Sequence, residues 1–205
     1  MPDKHKKLTQ RSISALETKN AIFNAALMLF SKYGYDKVTI ENITKHANVS
    51  KGNFYTHFDS KDSVLVEQFN RIDSYYINVF NKVSPNESAS NRLRIIIEAM
   101  CDYCKNVCGI NAIQVIYANQ VSATKHVKIL NNKERPFYSF LREIVTLGQS
   151  NGEFRDDIKS EDLVELIARF CRALLYDWCL YNNDFDLEIE GTHYTDFILI
   201  SLRKK

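Results

Sequence analysis

Glycine and proline are scarce in this sequence of 205 residues, which contains only six Gly and three Pro. Because these two residues mark turns, their scarcity argues against a fold of many hairpins and favours long helices. No stretch approaches the roughly 18 consecutive apolar residues that a membrane span needs. The basic N-terminus, MPDKHKKLTQR, is not followed by the apolar segment of a signal peptide. We therefore expect a cytoplasmic protein without a membrane partner.

The motifs of common enzymes are also missing. The sequence has no glycine-rich phosphate loop and no His-Glu-x-x-His metal motif. Ser122 and Lys125 match the Ser-x-x-Lys of penicillin-binding enzymes, but the companion motifs Ser-Asp-Asn and Lys-Thr-Gly do not occur. A match of two fixed positions is common by chance. We therefore predict that the protein is not an enzyme and uses no cofactor.

The five cysteines have two interpretations. An odd number of cysteines in a cytosolic protein indicates free thiols rather than a disulfide framework. Cys101, Cys104 and Cys108 share one face of a predicted helix, a spacing that would suit a redox sensor or a metal ligand set. Free cysteine is also among the most buried residue types, and no nearby histidine completes a set of four ligands. We predict core packing and no metal site, with redox sensing as the alternative.

Positive charge is concentrated in the first third of the chain. Residues 1–61 contain ten Lys and Arg against five Asp and Glu, whereas residues 62–205 contain seventeen against twenty. A basic segment of this kind is suited to contact phosphates, while an acidic segment is not. We therefore predict a head at residues 1–62, with a disordered basic tail at 1–17, and a separate body at 63–205.

Residues 39–61, TIENITKHANVSKGNFYTHFDSK, contain two short helical patterns separated by a turn. Thr39 is a good N-cap for the first helix, and Ser50 is a good N-cap for the second. Asn48 lies between them, and asparagine is one of the few non-glycine residues that enters the left-handed region at low cost. Phe54 and Phe58 are spaced to face the core together. This pattern predicts a helix-turn-helix.

The outward face of the second helix is suited to the major groove of DNA. Lys51 supplies a cation, Gly52 a bare backbone, Asn53 an amide and Tyr55 a phenol, all near the N-terminal end. Base edges in the major groove offer acceptors, donors and thymine methyl groups to such residues. We predict that Lys51 and Asn53 contact bases, and that Tyr55 and His57 contact phosphates.

The segment SKGNFYTHF, followed by DSKDSVL and preceded by LFSKYGYDKVTIENITKHANV, resembles the N-terminal helix-turn-helix domain of the tetracycline-repressor (TetR) family of transcription factors. The resemblance covers roughly residues 18–67, about a quarter of the chain. Thr44 stands where the family often has alanine, and Asn48 where it often has glycine; both are sterically tolerable. With Lys61 added from the family pattern, the predicted DNA-binding residues are Thr39, Ser50, Lys51, Gly52, Asn53, Tyr55, Thr56, His57 and Lys61.

The rest of the sequence continues in helical patterns. Apolar spacing and capping residues predict helices at about 18–33, 40–47, 51–58, 61–83, 92–107, 110–121, 136–150, 160–181 and 190–203. The resemblance implies the same architecture. We therefore expect an all-α fold of about nine helices, with a three-helix DNA-binding head and a larger helical body for effector binding and dimerisation.

The resemblance also implies what the body does. Family members enclose a mostly apolar effector cavity with helices four to eight and dimerise through helices eight and nine. Candidate cavity residues are Tyr76, Phe80, Met100, Tyr103, Cys104, Tyr117, Gln120, Phe140, Phe170 and Trp178. Candidate dimer contacts are Leu163, Leu166, Phe170, Leu174, Ile198 and Leu202. The sequence favours neither a charged nor a neutral effector.

The predicted function is therefore a ligand-responsive repressor. A homodimer would bind a palindromic DNA operator, and a small-molecule effector would release it. The alternative is a small-molecule or thiol-redox binding module that binds no operator. The basic recognition helix favours the first.

Overall fold

The computed structural model describes residues 9–122 and 129–204, and within these ranges the chain is built from nine α-helices. The predicted all-α fold is confirmed. The only β-type pairing among these described residues is one isolated antiparallel bridge, between Phe154 and Arg203. The helices are α1 (Gln10–Tyr33), α2 (Ile40–His46), α3 (Lys51–His57), α4 (Lys61–Phe80), α5 (Ala89–Asp102), α6 (Ile110–Ser122), α7 (Pro136–Ser150), α8 (Ser160–Leu180) and α9 (Leu187–Leu202).

The chain divides into two compact units, the head (Met1–Glu67) and the body (Gln68–Lys205). The boundary lies inside α4, five residues after the position expected from the sequence. None of the helices in the described ranges is long and apolar enough to cross a membrane.

The head has its own core, and its first helix is longer than predicted. Ile22, Ile43 and Phe54 are completely buried there. The expectation of a disordered tail over 1–17 is wrong for its last part, because α1 begins at Gln10. Thr9 caps that helix, since its Oγ1 accepts a hydrogen bond of 3.2 Å from the amide of Ser12. Residues 1–8 of the predicted tail lie outside the described residues.

The body is organised around α5, which packs against α7 and α9. Its completely buried side chains include Leu93, Ile96, Leu141 and Ile144. Gly191 permits the close approach of α9 to α5, because a Cβ atom at this position would lie 2.5 Å from Cys101 Sγ. The sequence pattern for a single helix at 92–107 did not show this packing.

A π-helical segment, Tyr103–Cys108, follows α5 directly. The amide of Gly109 donates to the carbonyl of Cys104 at 3.0 Å, five residues back, and Gly109 has a φ of 74°. The predicted helix over 92–107 is therefore two kinds of helix. Apolar spacing did not distinguish them, since a wider turn of this length leaves the same residue types facing inward.

Candidate nucleic-acid interface and effector region

The helix-turn-helix is fixed by short-range hydrogen bonds. Thr39 and Asn42 form a reciprocal cap at the start of α2, with Asn42 N to Thr39 Oγ1 at 3.1 Å and Thr39 N to Asn42 Oδ1 at 2.9 Å. Asn48 has a φ of 54°, as the turn pattern predicted. Ser50 Oγ accepts from the amide of Asn53 at 3.1 Å and so begins α3. These caps are confirmed, and they set the angle at which α3 leaves the turn.

The outer face of α3 presents the predicted groove residues to solvent. Lys51, Gly52, Asn53, Tyr55 and Thr56 are exposed, and His57 is half-buried. Phe54, on the opposite face, is completely buried and holds the helix on the head. The hydroxyl of Thr56 donates to the carbonyl of Gly52 at 3.0 Å, so in the protein alone this donor is already used.

Lys51 is paired in the free protein. Its Nζ lies 3.2 Å from Glu41 Oε2, and the two side chains are 59% and 73% exposed. Ion pairs with this exposure contribute about 0–1 kcal/mol, so a phosphate or a guanine edge can replace Glu41 at little loss.

Lys61 has a role inside the head that the sequence did not indicate. Its Nζ donates to the carbonyls of Tyr35 and Val38 at 2.9 and 2.7 Å, and it lies 4.5 Å from the centre of the Tyr35 ring. The Tyr35 hydroxyl donates to Asp62 at 2.5 Å. Burial, followed by this hydrogen bond, raises the pKa of Tyr35. The start of α4 is thereby tied to the connection between α1 and α2.

Among the described residues of the body, the predicted cavity residues do not line one common pocket. Tyr76, Phe80, Met100, Tyr103, Cys104 and Trp178 are buried in the core. Phe80 stacks on the half-buried Phe140, with ring centres 4.1 Å apart. Phe170 is 37% exposed and lies 6.3 Å from the ring of Phe197 in α9, so it belongs to the outer surface of α8.

Two of the predicted residues, Tyr117 and Gln120, line a pocket of about 470 Å³ between α6 and α8. The Tyr117 hydroxyl donates to the carbonyl of Arg172 at 2.8 Å. Gln120 Oε1 accepts from the amides of Ile129 and Leu130 at 2.6 and 3.2 Å, which holds the segment before α7 at the pocket. The described residues that line this pocket are Tyr117, Gln120, Val121, Leu130, Asn131, Arg172, Ala173 and Tyr176.

Arg172 is the charged residue among the six described lining residues that sequence reasoning missed. Its Nη1 donates to the hydroxyl of Tyr138 in α7 at 2.6 Å, which fixes the side chain. An arginine on an amphipathic helix looks like a surface residue in sequence. Only the packing of α6 against α8, which brings Tyr117 to Arg172, reveals that it lines a pocket.

Two other pockets lie among the described residues. In one, which lies in the body, the acidic side chains already have partners within the protein; the other lies in the head. A pocket of about 460 Å³ includes Asp102 and Glu188, but the Tyr75 hydroxyl donates to Asp102 at 2.5 Å and Lys105 Nζ lies 2.5 Å from Glu188. The hydrogen bond from Tyr75 lowers the pKa of Asp102. A third, of about 630 Å³, is lined by Leu29, Tyr33, Lys37, Val38, Asn42, Lys45 and His46.

Cys101, Cys104 and Cys171 are buried in the body, whereas Cys108 and Cys179 are half-buried, so the predicted core packing holds for Cys101 and Cys104 and only partly for Cys108. Burial raises the pKa of Cys101, Cys108 and Cys171 to about 12. Thiols react with oxidants and metals as thiolates, so a raised pKa makes them inert at neutral pH. Within the described residues no group of three or more His, Cys, Asp or Glu side chains is arranged for a metal ion.

The predicted dimer contacts need correction. Leu163, Leu174, Ile198 and Leu202 are only 2–3% exposed, because they form the protomer's own core between helices. They have no surface to offer a partner. Leu166 and Phe170 are 43% and 37% exposed and remain candidates. The exposed apolar residues of α9 are Ile189, Phe197 and Ile200, with 57%, 62% and 64% exposure.

The capped helix pair, its left-handed turn and its all-α setting define a helix-turn-helix protein. Residues 22–67 match the family described as bacterial regulatory proteins, tetR family. Over these residues the chain is similar to the tetR family of bacterial regulatory proteins. The matching family is one of regulatory proteins.

Curated relatives show the same similarity over part of this chain. It is 40% identical over 73 residues to the biofilm operon icaADBC HTH-type negative transcriptional regulator IcaR of Staphylococcus aureus (strain Newman), which covers 36% of this chain and 38% of IcaR. It is 28% identical over 95 residues to the uncharacterized HTH-type transcriptional regulator YuxN of Bacillus subtilis (strain 168), covering 42% of this chain and 32% of YuxN. The chain thus matches well under half the length of these curated relatives.

Solved structures extend the likeness to the whole fold. The transcriptional regulator FadR from Bacillus subtilis, in complex with stearoyl-CoA, has a TM-score of 0.77 at 17% identity, covering 90% of this chain and 99% of FadR. A tetR-family regulatory protein from Rhodococcus RHA1 has a TM-score of 0.70 at 20% identity, covering 92% and 98%. At these identities the likeness establishes the fold alone.

Proposed function

We propose that the protein is a ligand-responsive transcriptional repressor, which binds a palindromic operator as a homodimer and leaves it when a small-molecule effector binds the body. The observation that carries this proposal is the exposed N-terminal end of α3, where Lys51, Gly52 and Asn53 project together. IcaR, a negative regulator by name, supports repression as the outcome. The proposal also implies a cytoplasmic location, where operator DNA lies.

Gly52 supports a partner that approaches the backbone. Glycine inside a helix destabilises it by about 0.5–1 kcal/mol relative to alanine. A Cβ atom at Gly52 would meet only Ser50 Oγ, at an ordinary 3.6 Å, so the head itself does not require glycine. Close approach of a DNA strand to the bare backbone, beside Lys51 and Asn53, is a physical reason for its presence.

The exposed apolar residues of α8 and α9 support a homodimer. Leu166, Phe170, Phe197 and Ile200 are large and exposed, and the ring contact between Phe170 and Phe197 joins the two helices into one patch. A contiguous apolar patch of this kind is unusual on a monomer. A second copy related by a two-fold axis would cover it, and two heads would then reach successive major grooves about 34–36 Å apart.

Helix α4 is the natural route from body to head, because the boundary between the two units lies within it. Inside the body, Arg135 at the start of α7 holds Asp73 of α4 with two hydrogen bonds of 2.8 and 3.1 Å. An effector that changes the start of α7 would change this pair. A coupling of about 1–3 kcal/mol would weaken operator binding roughly 5–150-fold. The fold neighbour FadR holds stearoyl-CoA, which supports an effector-binding body.

Selection from a pool of random duplex DNA tests the proposal without knowledge of the genome. We expect the protein to enrich a palindromic site, protected over two half-sites about one helical turn apart, and to bind it far more tightly than shuffled DNA at physiological salt. The matched control is Lys51→Ala with Asn53→Ala, which should enrich no sequence. If wild type also enriches none while remaining folded, the protein is a binding module without an operator and the proposal fails.

A further inference from the structure

Among the described residues that line the pocket between α6 and α8, one side chain, Arg172, is charged, and it is a cation. The other lining groups are phenol rings, aliphatic side chains and amides. Tyr117 and Tyr176 form one wall, with ring centres 5.7 Å apart. A volume of about 470 Å³ lies within the range of about 300–1,000 Å³ that small-molecule sites occupy.

Arg172 is held in position, but in the described part of the chain no carboxylate forms an ion pair with it. Its Nη1 hydrogen bond to the Tyr138 hydroxyl fixes the guanidinium, and a phenol carries no charge to balance it. Glu165 on the same helix interacts electrostatically with Arg172, but its carboxylate lies 2.7 Å from Lys133 Nζ and 3.7 Å from Arg169 Nε. A guanidinium has five N–H donors in a planar fork, so donors remain for a bound carboxylate or sulfonate.

We infer that the effector is an amphipathic monoanion, whose apolar part lies against Tyr117 and Tyr176 and whose acid group is held by Arg172. That it acts as an effector rests on the proposed function; that it binds here rests on the pocket alone. A neutral ligand of the same shape would leave the guanidinium without a counter-charge, and a cation would be repelled. The charge of the ligand, which the sequence left open, follows from this one residue.

Ligand binding here has a physical path to α4. Leu130 and Asn131 line the pocket, and Gln120 holds the Leu130 amide. Five residues after Leu130, the guanidinium of Arg135 donates two hydrogen bonds to Asp73 of α4. A ligand that displaces Leu130 would therefore move residues 130–135, and Arg135 at the end of this segment is bonded to Asp73 of α4.

Two dyes that differ in one charge test the inference. Anilinonaphthalene sulfonate has an apolar body and a single anionic group, and phenylnaphthylamine is the same body without that group. We expect wild type to bind the sulfonate at least about tenfold more tightly than the neutral dye, and Arg172→Met to remove that preference. Energy transfer from Trp178, the one tryptophan of the chain, would locate the bound dye in the body.

Two further variants control the measurement. Arg169→Met removes a cation from the same helix, 67% exposed and outside the lining, and should leave the preference for the sulfonate intact. Ala173→Glu adds a carboxylate to the lining at an exposed position and should weaken the sulfonate about tenfold without weakening the neutral dye. Equal binding of the two dyes by wild type, or an unchanged preference in Arg172→Met, would overturn the inference.

The same samples separate this inference from the proposed function. On the selected operator, saturating sulfonate should release wild type at least about fivefold more readily than Arg172→Met. Charge-selective dye binding in a protein that selects no DNA would support the pocket and reject the repressor. Normal operator binding without charge-selective dye binding would reject the pocket and leave the repressor standing.

Discussion

The helix starts of the head and of the body differ in how far along the chain some of their hydrogen-bond partners lie. In the head, each cap is local: Thr39 pairs with Asn42, and Ser50 with Asn53, three residues along the chain. In the body, α5 also has a local cap, from Asn91 N to Ser88 Oγ at 3.1 Å, but its first amides contact a distant carboxylate as well, because Ala89 N and Ser90 N each donate to Glu153 at 3.0 Å. The head can therefore form its helix-turn-helix from short segments, whereas the body depends on contacts between remote ones.

This difference suits the two roles proposed for them. A DNA-binding surface must keep one geometry, and local caps around Asn48 hold that geometry whatever happens elsewhere in the chain. A ligand-responsive body must have more than one arrangement, and remote contacts such as those of Glu153 can be altered by a bound molecule. We therefore expect the body to be the sensitive region and the head the fixed one.

The largest effect is expected from two adjacent residues of α9. Phe197 is 62% exposed, and Ile198 is 3% exposed. Phe197→Glu should leave the protomer folded but split the dimer, so that operator affinity falls at least about 1,000-fold, toward non-specific binding. Ile198→Glu should instead unfold the body, because it buries a charge without a partner. Sedimentation and thermal unfolding separate these outcomes.

The opposite outcome for Phe197 and Ile198 would contradict this prediction. If Phe197→Glu remains dimeric with full operator affinity, while Ile198→Glu yields a folded monomer, the dimer uses the surface that the sequence pattern suggests. Phe170→Glu, on the facing helix, provides an independent check, since Phe170 contacts Phe197 at the surface.

The sequence predicted the head in detail because its signals are local. Thr39, Asn48 and Ser50 each act within three residues of their own position, so residue type and spacing were sufficient. Lys61 is the exception: its partners Tyr35 and Val38 lie over twenty residues away, and its intramolecular role was not predicted. Whether it also touches DNA stays a prediction.

The body could be predicted only as a set of helices. An apolar stripe on α8 or α9 shows that a face is covered but not by what, so Leu174 and Ile198 were assigned to a partner although the protomer covers them. The same limit applies to the pocket. Tyr76 and Trp178 look like cavity residues in sequence but are core, whereas Arg172 looks like surface but lines a pocket.

The second largest effect concerns the pair that connects α7 with α4. The side chains of Arg135 and Asp73 are 11% and 15% exposed. Asp73→Asn should destabilise the body by about 3 kcal/mol, because Arg135 keeps its charge and loses its partner. Asp196→Asn, which breaks the more exposed pair with Arg94, should change stability by less than about 1 kcal/mol. Urea unfolding followed by Trp178 fluorescence measures both.

Loss of the Asp73 pair should also weaken coupling. The variant should bind the operator but respond less to the sulfonate dye than wild type. A response equal to that of wild type would mean that α4 receives the signal through another contact.

The third prediction concerns the exposed face of α3. Lys51→Ala and Asn53→Ala should each weaken operator binding by about 1–3 kcal/mol and relax the base preference at one position of each half-site. Tyr55→Phe removes only a hydroxyl and should weaken all sequences alike. Titrations of operator and shuffled DNA at several salt concentrations measure both quantities. Unchanged affinity and selectivity in both alanine variants would show that the wrong face of α3 was assigned to the groove.

The smallest effect should separate stability from binding at Gly52. Gly52→Ala places a methyl group where the head has room, so the head should gain about 0.5–1 kcal/mol of stability. The same methyl group would stand between α3 and the DNA, so operator affinity should fall. Gly191→Ala is the matched variant in the body, where the new Cβ would meet Cys101 Sγ at 2.5 Å and stability should decrease. Trp178 fluorescence reports unfolding of the body, and the part of the circular dichroism change that does not follow this fluorescence reports unfolding of the head. If Gly52→Ala binds the operator as tightly as wild type, close approach of DNA cannot be the reason for glycine on this helix. Gly52 would then no longer support the proposal that α3 binds DNA.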